Sequence, residues 1–243
     1  MYELIILFFL AAFLSIVVGT VAGFGTSTIF LPVALFFLDF QTALVLVAIT
    51  HISGNIGAVG FFRKGLNKKL IILFGLPSII LTIIGAFLVI FIPQLLLQII
   101  LGIFLLVFAI YSLLSPEFTI PPTKLNTMIG GSLSGFLQGL LGIGGALRGA
   151  FLISYDLDKV VYIATISAIA VLIDAARIPV YFSNNLLGPQ YYYYIPVLII
   201  IGIMGSYIGK RIVNITPQKF FKKIVLIAIV IASLLLIYQG LVG

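Results

Sequence analysis

The sequence predicts an all-α integral membrane protein made of two inverted repeats, each with four long segments and one short half-helix after a glycine-rich break. Three observations predict this fold class. The composition is too apolar for a soluble surface, the apolar runs have the lengths of membrane helices, and the second half repeats the segment order of the first. We expect a single transmembrane domain over 1–243, with repeat 1 at about 3–114, a cytoplasmic linker at 115–124 and repeat 2 at about 125–243.

The composition excludes a soluble protein. Of the 243 residues, 63% are apolar and 8% are charged, and the mean hydropathy is +1.35. A soluble domain carries roughly 25% charged residues, because its surface must face water. The net charge of +7 does not indicate a nucleic-acid partner, since the basic residues lie in a few short gaps between apolar runs. The absence of cysteine excludes disulfides and thiolate metal sites.

Ten apolar segments follow one another along the chain. Most reach the ~20 residues that cross a ~30 Å hydrocarbon layer. Two are short and would reach only about 15–18 Å as helices. We interpret the first segment as a retained helix rather than a cleaved signal, because Glu3 precedes it and no basic residue does. The predicted segments are 4–22, 27–38, 42–62, 70–92, 94–114, 125–141, 146–155, 160–182, 190–209 and 218–239.

An internal repeat appears when the chain is shifted by 119 residues against itself. The glycine clusters that precede the two short segments then align without a gap, and so do several turn and proline positions. Single matches carry little weight in an apolar sequence, but the same order of long and short segments indicates a duplication. The aligned pairs are Gly23 with Gly142, Gly25 with Gly144, Leu38-Asp39 with Leu157-Asp158, and Pro77 with Pro196.

The basic loops predict that the two halves have opposite orientations. Basic residues in short loops mark the cytoplasmic side. The loop with Arg63 and Lys64 is basic, whereas its counterpart around Ser183 carries no charge. The next loop shows the reverse, since it is uncharged around Pro93 and basic around Lys210. We therefore expect an inverted repeat in the cell membrane with both termini outside.

The two short segments predict a site for an anion. A helix that begins at mid-membrane presents unpaired backbone N–H groups and a partial positive charge there. Glycines let a ligand approach the backbone closely, and an arginine can bind an oxyanion through two N–H groups. The alternative is that these glycines only permit tight helix packing, which we favour for the GxxxG runs just upstream. The predicted substrate-binding residues are Gly23, Gly25, Thr26, Ser27, Gly142, Gly144, Gly145 and Arg148.

A few other polar residues are predicted at membrane depth. Asp174 and Arg177 lie three apart on one helix, so they share a face and can form an ion pair. The single histidine, His51, lies one turn before Asn55, and Asn55 aligns with Asp174 in the repeat. For Asp174 and Arg177 we favour structural pairing, with a second anion contact at Arg177 or a proton site at Asp174 as the alternatives. All four residues are candidates for gating or for coupling to a proton or sodium ion, and the alternative for His51 is a hydrogen-bonded packing role. Gln138 is expected to line the cavity.

Catalysis has little support in the sequence. There is one histidine and no carboxylate cluster, so we expect no metal and no cofactor. The Gly-x-Gly strings do not follow a strand, which excludes a dinucleotide fingerprint. The protein is therefore not expected to be an enzyme.

The chain resembles the TauE/SafE sulfite-exporter family of membrane permeases over essentially its whole length. The family's mark is a string of the form G-x-G-G-G followed by a proline, once in each half. The copies here are Gly23-Phe24-Gly25-Thr26-Ser27, with Pro32 after it, and Gly142-Ile143-Gly144-Gly145-Ala146. Thr26, Ser27 and Ala146 replace glycines of the pattern, Phe151 replaces its second proline, and Arg148 is unusual in it.

The resemblance implies a polytopic permease for small anions, with sulfite and organosulfonates as the suggested substrates. Our leading hypothesis is a secondary transporter that works by alternating access, with the anion between the two half-helices. A passive anion channel and a non-transporting membrane subunit remain the alternatives. The expected partners are the small anion, the lipid bilayer and a coupling ion, and the oligomeric state is left open.

Overall fold

The computed structural model describes residues 2–22, 25–62, 65–115, 120–213 and 218–242. Over these residues the chain forms ten α-helices joined by short turns, and no strand is present among them. The predicted Gly23 and the basic pair Arg63 and Lys64 lie outside the described residues. The helices are α1 (Tyr2–Ala22), α2 (Thr26–Ala34), α3 (Phe40–Phe62), α4 (Lys68–Leu88), α5 (Gln94–Leu114), α6 (Lys124–Leu141), α7 (Gly145–Leu152), α8 (Lys159–Ser183), α9 (Tyr194–Val213) and α10 (Gln218–Val242).

Seven of the described helices are long and apolar enough to cross a membrane: α1, α3, α4, α5, α8, α9 and α10. An apolar run of this length must be helical in lipid, because only a helix pairs all of its own backbone groups there. Helix α6 has 18 residues but is rich in glycine and serine. The predicted fold class of a helical, multi-pass membrane protein with four long helices and one short helix per half is confirmed.

Two predicted segments differ most from the observed helices. The segment predicted at 27–38 is helical only to Ala34, since the next residues form turns. The segment predicted at 190–209 begins as a helix at Tyr194. Before it, Pro189–Tyr191 forms a separate 3₁₀ turn that starts at a proline, whose fixed φ suits the first position of a helical turn.

Helices of the two halves pack against each other. Helix α4 of the first half packs on α6 of the second, and α9 of the second half packs on α1 of the first. At the α4–α6 contact, Gly131, Gly135 and Gly139 each lie against the backbone of α4, where a Cβ atom would meet it. These glycines therefore permit close helix packing, as the sequence predicted for the GxxxG run.

The interior of the bundle is formed around α3. Its residues from Ala43 to Ala48 are completely buried, and α3 contacts α8 and α9 as well as the short helix α2. Large apolar side chains remain exposed on the outward faces of the long helices, which is the surface that lipid would cover. Nearly all charged side chains of the described residues lie at helix ends, and the buried exceptions are Arg148, Asp174 and Arg177.

Candidate anion-binding site between the two short helices

The N-termini of the two short helices meet inside the bundle. A Cβ atom placed on Gly25, which precedes α2, would lie 3.2 Å from the Cα of Gly145, the first residue of α7. Gly25 has a φ of +86° and ψ of 136°, a conformation that is essentially restricted to glycine. No side chain caps either helix N-terminus. The first N–H groups of both helices thus converge, and both lack an intrahelical partner.

The turn between α6 and α7 is held by the last turn of α6. Gly142 adopts the left-handed conformation with φ +72°, and its N–H donates to the Gln138 carbonyl at 3.1 Å. The Gln138 side chain then accepts from Gly144 N at 2.5 Å and donates to the Gly142 oxygen at 3.1 Å. Ser134 Oγ donates to the Gly144 oxygen at 2.8 Å. These bonds fix the direction in which α7 begins.

Two buried polar groups close to these N-termini have no hydrogen-bond partner within the described part of the chain. One is Arg148 Nη1 on the first turn of α7, and the other is Ser27 Oγ on the first turn of α2. Arg148 is 4% exposed and Ser27 is completely buried. Buried polar groups in proteins are nearly always hydrogen-bonded, and a buried cation without a partner is costly. Both groups therefore have hydrogen-bonding capacity for a ligand.

An ionic network lies next to Arg148, at the contact between α3 and α8. His51 Nδ1 lies 2.5 Å from Asp174 Oδ2, and Arg177 Nε donates to Asp174 Oδ1 at 2.8 Å. Arg177 Nη2 lies 2.8 Å from the same Oδ1, without the geometry of a hydrogen bond. Arg177 Nη1 donates to the Gln138 carbonyl at 2.9 Å. The pair expected from the spacing of Asp174 and Arg177 is present, and His51 joins it.

The network joins four helices. Tyr181 OH donates to the Gly139 carbonyl at 2.5 Å, one helical turn beyond Arg177 on α8, so α8 is bonded to α6 at two successive positions. His51 on α3 contacts Asp174 on α8. The Gln138 side chain on α6 accepts a hydrogen bond from Gly144 N and so links the network to the start of α7. Asn55 does not reach the network, because its Nδ2 donates to the His51 carbonyl within α3 at 2.8 Å.

The buried charges do not balance. Arg148 and Arg177 carry two positive charges against the single negative charge of Asp174, so a neutral His51 leaves a net charge of +1 in the interior. The ionisable groups close enough to act on Arg148 are Asp174, Tyr162 and Arg177. An excess positive charge in a low-dielectric interior is strongly unfavourable unless an anion accompanies it.

Gln138 is predicted from the sequence to line the cavity, whereas no role is predicted for Ser134 or Tyr181. The structure instead makes Gln138 and Ser134 the residues that hold the α6–α7 turn. The sequence contains a signal for these roles. Ser134 and Gln138 are four residues apart and share one face of α6, and Arg177 and Tyr181 share one face of α8 in the same way.

Two cavities lie at opposite ends of the bundle. One, of about 240 Å³, includes Asn67, Lys69, Lys124 and Tyr155 in its lining. The other, of about 150 Å³, is lined by aromatic and aliphatic residues that include Phe8, Phe36 and Tyr194. Tyr155 aligns with Phe36 when the chain is shifted by 119 residues. The two cavities are therefore lined in part by equivalent positions of the two halves. Neither cavity is lined by Ser27, Gly145 or Arg148.

The fold and these buried groups define a multi-pass helical membrane protein whose two short helices begin at one buried, positively charged point. The family model for Sulfite exporter TauE/SafE matches residues 8–236. The chain therefore belongs to the TauE/SafE family, whose members are membrane transporters rather than enzymes. No curated protein and no solved structure matches the chain in the corresponding comparisons.

Proposed function

We propose that the protein is a secondary transporter for a small oxyanion, sulfite or an organosulfonate, and that the anion binds where α2 and α7 begin. The observation that carries this proposal is the meeting of the two uncapped helix N-termini beside a buried arginine with an unpartnered N–H group. Backbone N–H groups at helix N-termini are favourable donors to anions. Arg148 adds a full positive charge, and Ser27 adds a hydroxyl donor.

The proposed binding residues are those predicted from the sequence, with distinct contributions. Gly25 lets the start of α2 approach Gly145, and Gly144 lies against Ser134 and Gln138 of α6, where a Cβ would not fit. Gly142 forms the left-handed turn before α7. Thr26 and Ser27 start α2. Arg148 is the group that we expect to contribute most, because hydrogen bonds to charged groups are worth about 1.5–3 kcal/mol each.

We infer that transport proceeds by alternating access between two inverted repeats. Equivalent helices of the two halves run antiparallel, which supports this arrangement. Gly102 of α5 lies against Ser233 and Ile237 of α10, while Gly240 of α10 lies against Leu95 and Ile99. The burial of Arg148 and Ser27 supports an enclosed intermediate of a carrier. In this proposal the basic loops face the cytoplasm and both termini lie outside the cell membrane.

Replacement of Arg148 tests the proposed site. We expect Arg148→Ala to weaken sulfite uptake into proteoliposomes about tenfold to a hundredfold, as the loss of one charged hydrogen bond implies. Arg148→Lys keeps the charge but loses the fork of N–H donors, so we expect an intermediate rate. Arg211→Ala is the matched control, because it removes an exposed arginine at the far end of α9. Wild-type uptake by Arg148→Ala would refute the role of this residue.

A second measurement separates the carrier from a passive channel on the same scaffold. In a carrier, unlabelled sulfite inside the vesicles drives labelled sulfite inward against its own gradient, because both use one alternating site. A channel equilibrates the label without a transient accumulation. Absence of the accumulation, with sulfite flux still present, would favour the channel.

A further inference from the structure

We propose that His51 binds a proton as a second cargo, and that the site accepts a dianion together with this proton but a monoanion without it. The inference rests on the proposed anion site and specifies its coupling ion and its charge selectivity. It follows from the position of His51 in the ionic network and from the charge balance of the buried groups.

The contact between His51 and Asp174 determines where the proton binds. Asp174 also contacts Arg177, which favours its ionised form, and an ionised carboxylate can only accept hydrogen bonds. The His51 Nδ1 atom, 2.5 Å from Asp174 Oδ2, therefore carries the N–H of the neutral ring. A further proton binds at Nε2 and makes the ring a cation, with Asp174 stabilising it.

The charged groups around His51 come from two neighbouring helices. Asp174 and Arg177 face it from α8, and Arg148 on α7 acts on Asp174 in turn. Helix α2 contains no ionisable residue, and the only one on α5 is Tyr111, near its end. On α9, Gly202 packs beside Thr50, and the ionisable residues Tyr194, Tyr207, Lys210 and Arg211 lie toward the helix ends.

The charge balance links the proton to the anion. With His51 neutral, the buried groups sum to +1, from Arg148, Arg177 and Asp174, so a monoanion neutralises them. A dianion would leave an excess negative charge in the interior unless His51 becomes protonated. Burial of unbalanced charge is costly in a low-dielectric site. The dianion therefore favours protonation of His51, and by reciprocity the proton favours the dianion.

A direct path connects His51 to the start of α7. Asp174 bonds Arg177, Arg177 Nη1 donates to the Gln138 carbonyl, and the Gln138 side chain accepts from Gly144 N. A change in charge at His51 thus acts on Arg177 and, through α6, on the turn that orients the proposed anion donors. Every contact in this path is buried, so solvent does not screen it.

Proton uptake on anion binding tests the inference. We would titrate purified protein with sulfate, a dianion, and with methanesulfonate, a monoanion, by calorimetry in two buffers of different ionisation enthalpy between pH 6 and 8. We expect uptake of about one proton per sulfate and, as the linked consequence, a sulfate Kd that rises about tenfold per pH unit. Methanesulfonate should bind without proton uptake and with a Kd that does not depend on pH.

The variants His51→Asn and His51→Gln remove the ring nitrogen proposed to bind the proton, and Asn keeps an N–H donor at the position of Nδ1. We expect both to bind methanesulfonate within about threefold of wild type and to lose proton uptake with sulfate. Ser53→Ala is the control on the same helix, because the Ser53 hydroxyl bonds only its own backbone at Ile49, and it should behave as wild type.

The possible results separate the inference from the function on which it rests. Sulfate binding without proton uptake by the wild type would overturn the proton site, as would wild-type proton uptake in both His51 variants. Methanesulfonate binding without sulfate binding at any pH would overturn the acceptance of a dianion. Binding of neither anion would contradict the anion site itself, and the inference would fall with it.

Discussion

Replacement of Gln138 by leucine should weaken anion binding by loosening the start of α7. The Gln138 side chain is completely buried and makes two hydrogen bonds to the α6–α7 turn, with Gly144 N at 2.5 Å and with the Gly142 oxygen at 3.1 Å. Leucine has a similar volume, so packing against the neighbouring helices is largely kept. The change therefore removes these two bonds and little else.

The expected magnitude follows from the two backbone groups that lose their partner. A buried group left unsatisfied costs about 1–3 kcal/mol. The turn can relax and recover part of this free energy, but then α7 no longer begins in the orientation that presents Arg148. If anion binding loses a free energy equal to that of one unsatisfied group, about 1–3 kcal/mol, the sulfite Kd rises about 5- to 150-fold.

Calorimetry or equilibrium dialysis of labelled sulfite with purified protein would measure this Kd. The thermal unfolding temperature, followed by circular dichroism because the chain has no tryptophan, reports folding separately. Gln190→Leu is the control, since it makes the same substitution at an exposed glutamine before α9. A sulfite Kd within twofold of wild type for folded Gln138→Leu would refute the positioning role of this side chain.

Two glycine substitutions test the close contacts of the short helices and of α6. Gly25→Ala forces a Cβ into a conformation restricted to glycine and to 3.2 Å from Gly145 Cα, at a cost of about 1–3 kcal/mol, so we expect sulfite to lose its stabilising effect in a thermal-shift assay. Gly135→Ala places a Cβ against the Ser78 backbone and should lower the unfolding temperature by overpacking, by about 1–3 kcal/mol in free energy. Gly60→Ala, with no atom within 4 Å of its added Cβ, is the control for both and should be neutral. Sulfite stabilisation of Gly25→Ala equal to wild type, or an unchanged unfolding temperature for Gly135→Ala, would contradict the corresponding contact.

The helices were predictable because lipid imposes a simple rule on the sequence. A run of ~20 apolar residues that must pair its own backbone becomes a helix, and glycine clusters mark where the two short helices begin. The ion pair of Asp174 with Arg177 was predictable for the same local reason, since residues three apart share a helix face. The prediction of the helices and the prediction of the ion pair both depend only on residues that are close in sequence.

The contact of His51 with Asp174 was not predictable in this way. The two residues are 123 positions apart, and their contact depends on how α3 crosses α8. The role of Gln138 also depends on tertiary geometry, because its side chain folds back on a turn whose left-handed Gly142 the sequence alone does not specify. The chemical groups of the site were thus visible in the sequence, but their pairing was not.

Labelling of single cysteines tests the opposite orientation of the two halves. The chain has no cysteine, so a cysteine introduced at Lys68 or at Ser183 is the only thiol. Lys68 begins α4 and Ser183 ends α8, and the connection after Ser183 corresponds in the repeat to the basic loop before α4. In inverted repeats these equivalent connections face opposite sides of the membrane, whereas in parallel repeats they face the same side. We expect a membrane-impermeant maleimide added to intact cells to label the Ser183→Cys variant only, and Lys68→Cys to react only after the cells are opened. Labelling of both variants in intact cells, or of neither, would refute the inverted arrangement. A pseudo-two-fold axis in the membrane plane always places equivalent connections on opposite sides of the membrane.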